Sequence, residues 1–322
     1  MRAGIASDRG VRIAEVEKPQ AGPGQVLVEV KAAGLNRADL KAAQGSGIAT
    51  REALGKPIGM EWAGTVIEIG EGVEGFASGD RVMCSGSGGY AEFAGCAAAR
   101  ALPIPDGLSF EQAAILPLAL LTMHDAIATN GRLKKGESVL IHGASSGVGL
   151  LGLQIARYLG AELVIGTSTN AERRARLEEF GAHMAVDPTQ AGWSDGVLEA
   201  TDGKGVDLIV DMVSGPTIEE CMKAAGVRGR IVNVGRLGGV HAQFNFDLHA
   251  LKRLDYIGVT FRTRSPEEIA EIVRRMQADL WEGVSSGELA LPADSSFPLE
   301  KAADAHARME SNQHFGKILL QI

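Results

Sequence analysis

Cysteine is scarce: Cys84, Cys96 and Cys221 are the only three in 322 residues, and they form no C-x-x-C pair. That excludes a disulfide framework and a four-cysteine metal lobe, and it favours a reducing compartment, so a cytoplasmic location is expected. Basic charge is also in short supply. The 32 Lys and Arg are outnumbered by 40 Asp and Glu, for a net charge of −8. A phosphate-binding surface needs clustered cations, so no nucleic-acid partner is expected. Long apolar runs are missing too. The most apolar stretch, Ala113 to Met123, is about half the length of a membrane span and contains Pro117. The opening MRAGIASDRGVRIAEVE has neither the apolar run of a signal peptide nor an amphipathic Arg/Ser-rich presequence. A membrane partner is therefore not expected either.

Glycine, by contrast, is abundant at 42 residues, and its placement divides the chain. In the first third, Gln25 to Lys31 (QVLVEVK) and Ala63 to Ile69 (AGTVIEI) alternate apolar and polar side chains, as half-buried strands do. Gly70 to Asp80 supplies turn chemistry, and a compact antiparallel, barrel-like domain is expected there. From Ser138 the pattern becomes strand (SVLIH), Gly-rich turn, apolar helix ending at Gly160, and strand (LVIGT). Thr169 and Glu172 have capping-box spacing for the next helix, which stops at Gly181. Further strands at Val206 to Asp211 and Arg230 to Val234 continue an alternation that needs a parallel sheet covered on both faces, so the fold class is α/β. A helix from about Ser265 to Trp281 and a last strand, Lys317 to Gln321, return the chain to the first domain. The length suits two domains at ~100–200 residues each. Their expected bounds are 1–118 with 260–322, and 119–259.

Gly143-Ala144-Ser145-Ser146-Gly147-Val148-Gly149 lies between a strand and a helix, the context in which such glycines bind a dinucleotide. Gly147 lets the backbone approach a pyrophosphate, and Gly149 lets the helix pack closely on the sheet. N–H groups at the helix start then face the phosphates, which makes Ala144, Ser145, Ser146, Gly147 and Val148 candidate cofactor-binding residues. An NAD site sets Asp or Glu ~20 residues past the glycines to accept from the ribose 2′-OH. Here the second strand ends Gly166-Thr167-Ser168-Thr169-Asn170, without an acid, and Arg173 and Arg174 follow. The Thr167 and Thr169 hydroxyls with the Arg173 guanidinium suit a 2′-phosphate, so NADPH is the expected cofactor; solvated arginines on a helix face are the plainer alternative. Gly235 and Arg236, after IVNV, fall where the carboxyl ends of parallel strands line the ligand crevice. GASSGVG also suits short-chain dehydrogenases, but their catalytic Tyr is followed four positions later by Lys. None of Tyr90, Tyr158 and Tyr256 has a Lys three to five residues downstream.

An ordered set of segments extends these signals: GPGQVLVEVKAAGLNRADL, KPIGMEWAGTVIEIGEGVEGFASGDRVM, GGYAEF, LSFEQAAILPLALLT, KKGESVLIHGASSGVG, GKGVDLIVDMV and GKILL. On these the chain resembles, over nearly its whole length, the zinc-free quinone oxidoreductase branch of the medium-chain dehydrogenase/reductase superfamily. MESNQHFGKILL and FRTRS are most similar to the p53-inducible quinone-reductase-like subgroup. The resemblance implies a GroES-like, mostly β catalytic domain, a Rossmann doubly wound parallel-sheet domain that binds NADPH, and a homodimer. Zinc members of the superfamily carry Cys where Asn36 stands and His where Met60 stands. Neither an amide nor a thioether is a credible Zn²⁺ ligand at such a site, so no metal is expected.

The resemblance also implies catalytic roles for Asn36, beside the nicotinamide and substrate, and for Thr122, at the nicotinamide end. Asn36 read alone serves equally as a turn residue, and Asp39 and Tyr90 read as structural. Lys41 replaces a Tyr of many relatives, His124 an aromatic, and Pro188 a Tyr on the adenine-ribose side. Either Lys41 or His124 could donate a proton, although a snorkelled Lys and a hydrogen-bonded His are the plainer readings. The expected reaction is hydride transfer from NADPH to a quinone or a conjugated enone or enal, whose reduced oxygen water can protonate. Reduction of enoyl thioesters and a non-catalytic, crystallin-like NADPH-binding role are the alternatives. The Gly45 to Pro57 loop, expected to border the pocket, carries no motif that names the substrate.

Overall fold

The computed structural model describes residues 1–44 and 54–322, so most of the Gly45 to Pro57 loop lies outside the described residues. The chain divides into two compact units: Met1–Leu118 with Ser265–Arg275 and Ala290–Ile322, and Ala119–Arg264 with Met276–Leu289.

In the first unit, β1 (Arg2–Ser7) and β2 (Gly10–Glu15) form an antiparallel ribbon. β3 (Gln25–Gly34), β4 (Glu61–Ile69), β5 (Arg81–Ser85), β6 (Phe93–Ala97) and β7 (Ala101–Pro103) join a larger antiparallel sheet in which β3 pairs with both β4 and β6. The alternation in β3 predicts one covered face, yet Leu27 and Val28 are both fully buried. Irregularities in the β3–β4 register at Leu27/Val28 and Val30/Ala32 turn the strand so that consecutive side chains enter the core. Gly64 is required at this crossing, because a Cβ there would lie 2.0 Å from the Glu29 carbonyl oxygen. Cys84 and Cys96, distant in sequence, meet in this core. Burial, and then the hydrogen bond with Cys96, pushes the Cys84 thiol well above its ordinary pKa, and all three cysteines are free and buried.

The second unit carries a wholly parallel sheet of β8 (Ser138–His142), β9 (Leu163–Thr167), β10 (Met184–Val186), β11 (Val206–Asp211), β12 (Ala225–Asn233) and β13 (Asp255–Gly258). Its order, β10-β9-β8-β11-β12-β13, reverses direction between β8 and β11, the switch point of a doubly wound dinucleotide fold. The helix Gly147–Tyr158 buries Leu150, Leu151, Leu153 and Ile155, the apolar face that its sequence predicts. Two expectations are corrected here. The next helix is capped by Asn170 rather than Thr169: the Asn170 amide oxygen accepts the Arg173 N–H at 2.9 Å. That helix is short, Ala171–Ala175, and continues as a 3₁₀ turn to Phe180 before Gly181 ends it at φ +97°. β12 begins at Ala225, not Arg230, because its register jumps from Val206↔Ala225 to Leu208↔Arg230 around Arg228 at φ +65°.

The apolar stretch ending at Met123 belongs to a helical run, Phe110–Asn130, that is long and apolar enough to cross a membrane, but 72% of its apolar window is buried inside the protein. Its last turn, Asp125–Asn130, is π-helical. The helix Pro266–Ser285 starts at a reciprocal cap: the Ser265 hydroxyl accepts the Glu268 N–H at 3.2 Å and the Glu268 carboxylate accepts the Ser265 N–H at 2.7 Å. Finally β14 (Ala293–Pro298) and β15 (Lys317–Gln321) bring the chain back, with β15 seated between β14 and β3 of the first sheet.

Candidate functional site

The glycine turn after β8 is built by close backbone packing. Gly143 takes φ +89°, the Ala144 N–H donates to the Thr167 carbonyl at 2.8 Å, and a Cβ on Gly149 would sit 2.7 Å from the Ala144 backbone. Ser146 caps the helix: its hydroxyl accepts the Gly149 N–H at 3.1 Å and donates to the Gly143 carbonyl at 3.2 Å. The Ser145 hydroxyl accepts from Ser168 at 3.0 Å, tying this turn to the end of β9. The N–H groups of Gly147 and Val148 open the helix, where intrahelical acceptors do not reach, so they can face an anion.

Thr167 requires a correction. Its side chain is fully buried, and its hydroxyl accepts the Gly143 N–H at 3.0 Å and meets His142 Nδ1 at 2.8 Å. It therefore holds the turn from below and does not reach a phosphate. Thr169 is exposed just before the Asn170 cap, with half-buried Arg173 in the first helical turn. Arg174 is committed: it donates to the Ser168 carbonyl at 2.9 Å and pairs with Asp187 at 3.1 Å. The search for an acid at the end of β9 missed Asp187, which follows the neighbouring strand β10. Hydrogen bonds from the Thr189 hydroxyl and backbone hold the Asp187 carboxyl below its usual range. Arg174 is thus held by Asp187 and the Ser168 carbonyl, while Arg173 lies one residue before it in the same helical turn. Gly235 is needed where β12 ends, since a Cβ would lie 2.4 Å from the Met212 carbonyl oxygen. Arg236 is exposed and lines an open pocket of about 490 Å³ with Ser214, Asn233 and Tyr256.

Below the turn lie His142, Asp211 and Cys221, all buried, with potential ligand atoms within 4.8 Å of one another. Sequence reading missed this group because its members are far apart along the chain. It does not suit a metal. Both imidazole nitrogens are engaged, with Thr167 at 2.8 Å and Thr217 at 3.1 Å, and the Asp211 carboxylate accepts the Val213 and Ser214 N–H groups at 2.9 Å each.

In the first unit, Asn36 stands in a buried polar cluster. Its N–H donates to Asp39 Oδ2 at 2.8 Å and its side-chain amide to Glu61 Oε1 at 3.0 Å. The Lys317 ammonium, which can only donate, bonds to Asn36 Oδ1 at 2.8 Å and to Glu61 Oε1. The other Glu61 oxygen accepts the Leu118 N–H at 2.9 Å, and Tyr90 donates to Asp39 at 3.2 Å. Burial raises the Asp39 carboxyl to about 7, against the pull of the Asn36 N–H and Lys317. Glu61 and Lys317 were legible only as letters within GMEW and GKILL. With an ammonium bonded to Asn36 Oδ1, this donor set does not fit Zn²⁺, and the neighbouring Met60 engages through its carbonyl, which accepts the Gly86 N–H.

Thr122, in the second unit, is half-buried on the helix Pro117–His124. His124 is buried and pairs through Nε2 with Asp279 at 2.7 Å. Two positions apart, Thr122 and His124 occupy different faces of that helix. Lys41 is exposed in the last turn of the helix that Asn36 begins.

Residues 147–278 match the zinc-binding dehydrogenase family model, and residues 22–106 the alcohol dehydrogenase GroES-like domain. The chain is 35% identical to quinone oxidoreductase of Rattus norvegicus over 92% of its own length and 88% of that protein. It is 32% identical, over 95% of its length, to a segment making up 14% of the mycocerosic acid synthase-like polyketide synthase of Mycolicibacterium smegmatis. Among solved structures, Escherichia coli quinone oxidoreductase complexed with NADPH superposes with a TM-score of 0.87 at 27% identity, covering 100% of this chain and 99% of that one.

Proposed function

Since the chain belongs to the medium-chain dehydrogenase/reductase family, with quinone oxidoreductases among its relatives, we infer that it is an NADPH-dependent reductase of quinones or conjugated enones and enals that works without zinc. The observation that carries this reading is the turn at the sheet's switch point, where Gly149 closes on Ala144 and the first helical N–H groups are left to an anion. Those residues fit a dinucleotide. Ala144 to Val148 would receive its pyrophosphate, Thr169 and Arg173 its 2′-phosphate, and Gly235 and Arg236 would flank its nicotinamide half. The cofactor, when bound, supplies a hydride.

Asn36 gives one amide hydrogen to Glu61 and takes a hydrogen bond from Lys317, so its second N–H has a fixed direction in which to polarise an acceptor oxygen. Thr122 orients the ring. Quinones and enones delocalise the incoming charge onto oxygen, so solvent can supply the proton and a dedicated acid is not obligatory. His124, tied to Asp279, is not needed as a donor. The Lys317 ammonium on Asn36 supports the zinc-free reading. A cytoplasmic setting is part of the same proposal.

The resemblance to a polyketide synthase segment favours a second reading, reduction of an enoyl thioester. NADPH absorbance followed over a panel of quinones, enones and a crotonyl thioester separates the two. Turnover of quinones or enones well above the thioester is the expected result. Preferential thioester turnover supports the second reading, and NADPH binding without turnover of any acceptor rejects both. Arg173→Ala should weaken NADPH by ~10–100-fold while changing NADH little, from the usual worth of a charge-assisted bond. Equal losses would remove its role at the 2′-phosphate.

A further inference from the structure

One hydrogen-bonded string runs along the carboxyl edge of the parallel sheet, and donor and acceptor roles can be assigned along it. Gly143 N–H can only donate, so it gives to Thr167 Oγ1 at 3.0 Å. At the far side the Thr217 hydroxyl donates to the Ser214 carbonyl at 3.0 Å, which makes Thr217 Oγ1 the acceptor of its 3.1 Å bond with His142 Nε2. His142 Nε2 therefore carries the proton. In the neutral ring Nδ1 is then an acceptor, and Thr167 donates to it at 2.8 Å. The string continues: the Ser214 hydroxyl donates to the Gly235 carbonyl at 2.8 Å while accepting from the Asn233 amide. It thus joins the turns that follow β8, β9, β11 and β12, the strand ends that border the nucleotide crevice of this fold.

We propose that His142 is a positioning residue for the dinucleotide site: as its neutral Nε2–H tautomer, it locks the Thr167 rotor under Gly143 and couples that turn to Ser214 and Gly235. The inference rests on the cofactor-binding reading above. The ring cannot serve the string in any other state. A second ring proton would point at the Thr167 hydroxyl hydrogen, and Thr167, fully buried, has no solvent to turn toward. A switch to the Nδ1–H tautomer would deny the Thr167 hydroxyl its acceptor at Nδ1 and draw the Thr217 hydroxyl away from the Ser214 carbonyl to Nε2. Trp193 stacks on the imidazole at 5.5 Å between ring centroids, with the planes 12° apart, which fixes the ring plane. The titratable groups facing it are Asp211 on β11 and Cys221 on the helix Ile218–Ala224. Burial lowers the pKa of His142 below its ordinary value, and the Asp211 charge opposes this only in part, so the neutral form is favoured.

The test pairs a cofactor-independent readout with a binding one. Nitrogen-15 NMR of the intact protein should show the His142 signals of an Nε2–H neutral ring at pH 7.5 that persist as the pH is lowered to 5.5. NADPH titrated into His142→Phe, which keeps the stack on Trp193 but makes neither hydrogen bond, should bind at least tenfold more weakly than into wild type. His142→Asn, whose amide oxygen can replace Nδ1 as the acceptor for Thr167, should recover part of that loss. An Nδ1–H or charged ring, or His142→Phe binding NADPH as wild type does, overturns the proposal. If His142→Phe does not fold, Thr217→Val, which removes the acceptor for Nε2–H together with the hydroxyl's bond to the Ser214 carbonyl, must weaken NADPH by a smaller factor, and unchanged affinity there overturns it. Wild type that binds no NADPH at all removes the cofactor reading instead, and the tautomer result still stands by itself.

Discussion

At the scale of single residues, the most consequential group is Asp39. It is completely buried, one carboxylate oxygen has no partner among the described residues, and its pKa is raised from 3.8 to about 7. The native state therefore holds a proton that the unfolded chain gives up above 3.8. This contribution to stability is fully present below the unfolded value and is lost as pH rises through about 7, a swing on the order of 4 kcal/mol by linkage. Asp39→Asn keeps an acceptor for Asn36 and Tyr90 but cannot ionise. Its urea-unfolding free energy should vary less between pH 4.5 and 7.5 than that of wild type, and parallel pH profiles would mean that Asp39 is already charged in the fold. The sequence showed Asn36 and Asp39 as a spaced pair in GLNRAD. It did not show what surrounds them, because Lys317 lies 281 positions from Asn36, and no local pattern reports a contact of that separation. Thr167 illustrates the converse: it was found by its place in the chain, but its role was misread, because burial decides whether a hydroxyl faces a ligand or the protein.

Elements were easier to read where one periodic force dominates. The strand Lys317–Gln321 and the helix from Gly147 follow from apolar runs bounded by glycine. Boundaries failed where side-chain caps or bulges decide them, as at Asn170, which sits one residue beyond the expected cap, and at the start of β12, where Gly226 and Gly229 hid a strand. The turn after β8 lends itself to a direct test. Gly149→Ala places a methyl group 2.7 Å from the Ala144 backbone, which cannot rotate away as a side chain would. It should destabilise the protein by ~1–3 kcal/mol, the usual cost of overpacking. It should also weaken NADPH, because the helix start must shift. Ser146→Ala removes the cap together with the hydroxyl's bond to the Gly143 carbonyl and should cost ~1–2 kcal/mol. Thermal melts of the two variants give the comparison, and a Gly149→Ala protein as stable as wild type would show that the turn is not closed at this point.

The whole molecule follows from the order of the strands. Alternating strand and helix patterns implied a covered parallel sheet, and the six strands adopt the doubly wound order. What a linear pattern could not state is which strand lies at an edge. The edges fall to β10 and to β13, the latter only four residues long, with Tyr256 exposed and stacked edge-on against Phe244 at 5.9 Å, which in turn contacts exposed Phe246 at 5.0 Å. Val240, 72% exposed, lines the same pocket as Tyr256 and Phe244. A strand edge without a pairing strand among the described residues, beside exposed apolar side chains, is costly to leave open in a stable protein. A second copy related by a two-fold axis would cover it, since antiparallel pairing of β13 with itself satisfies both edges at once. Light scattering on the purified protein should then give twice the 33.7 kDa of one chain. Tyr256→Asp puts a charge into that seam and should shift the mass toward one chain while leaving the melting temperature within a few degrees. A wild-type mass of 33.7 kDa would rule this pairing out, and a dimer that Tyr256→Asp leaves intact would place its interface away from this edge.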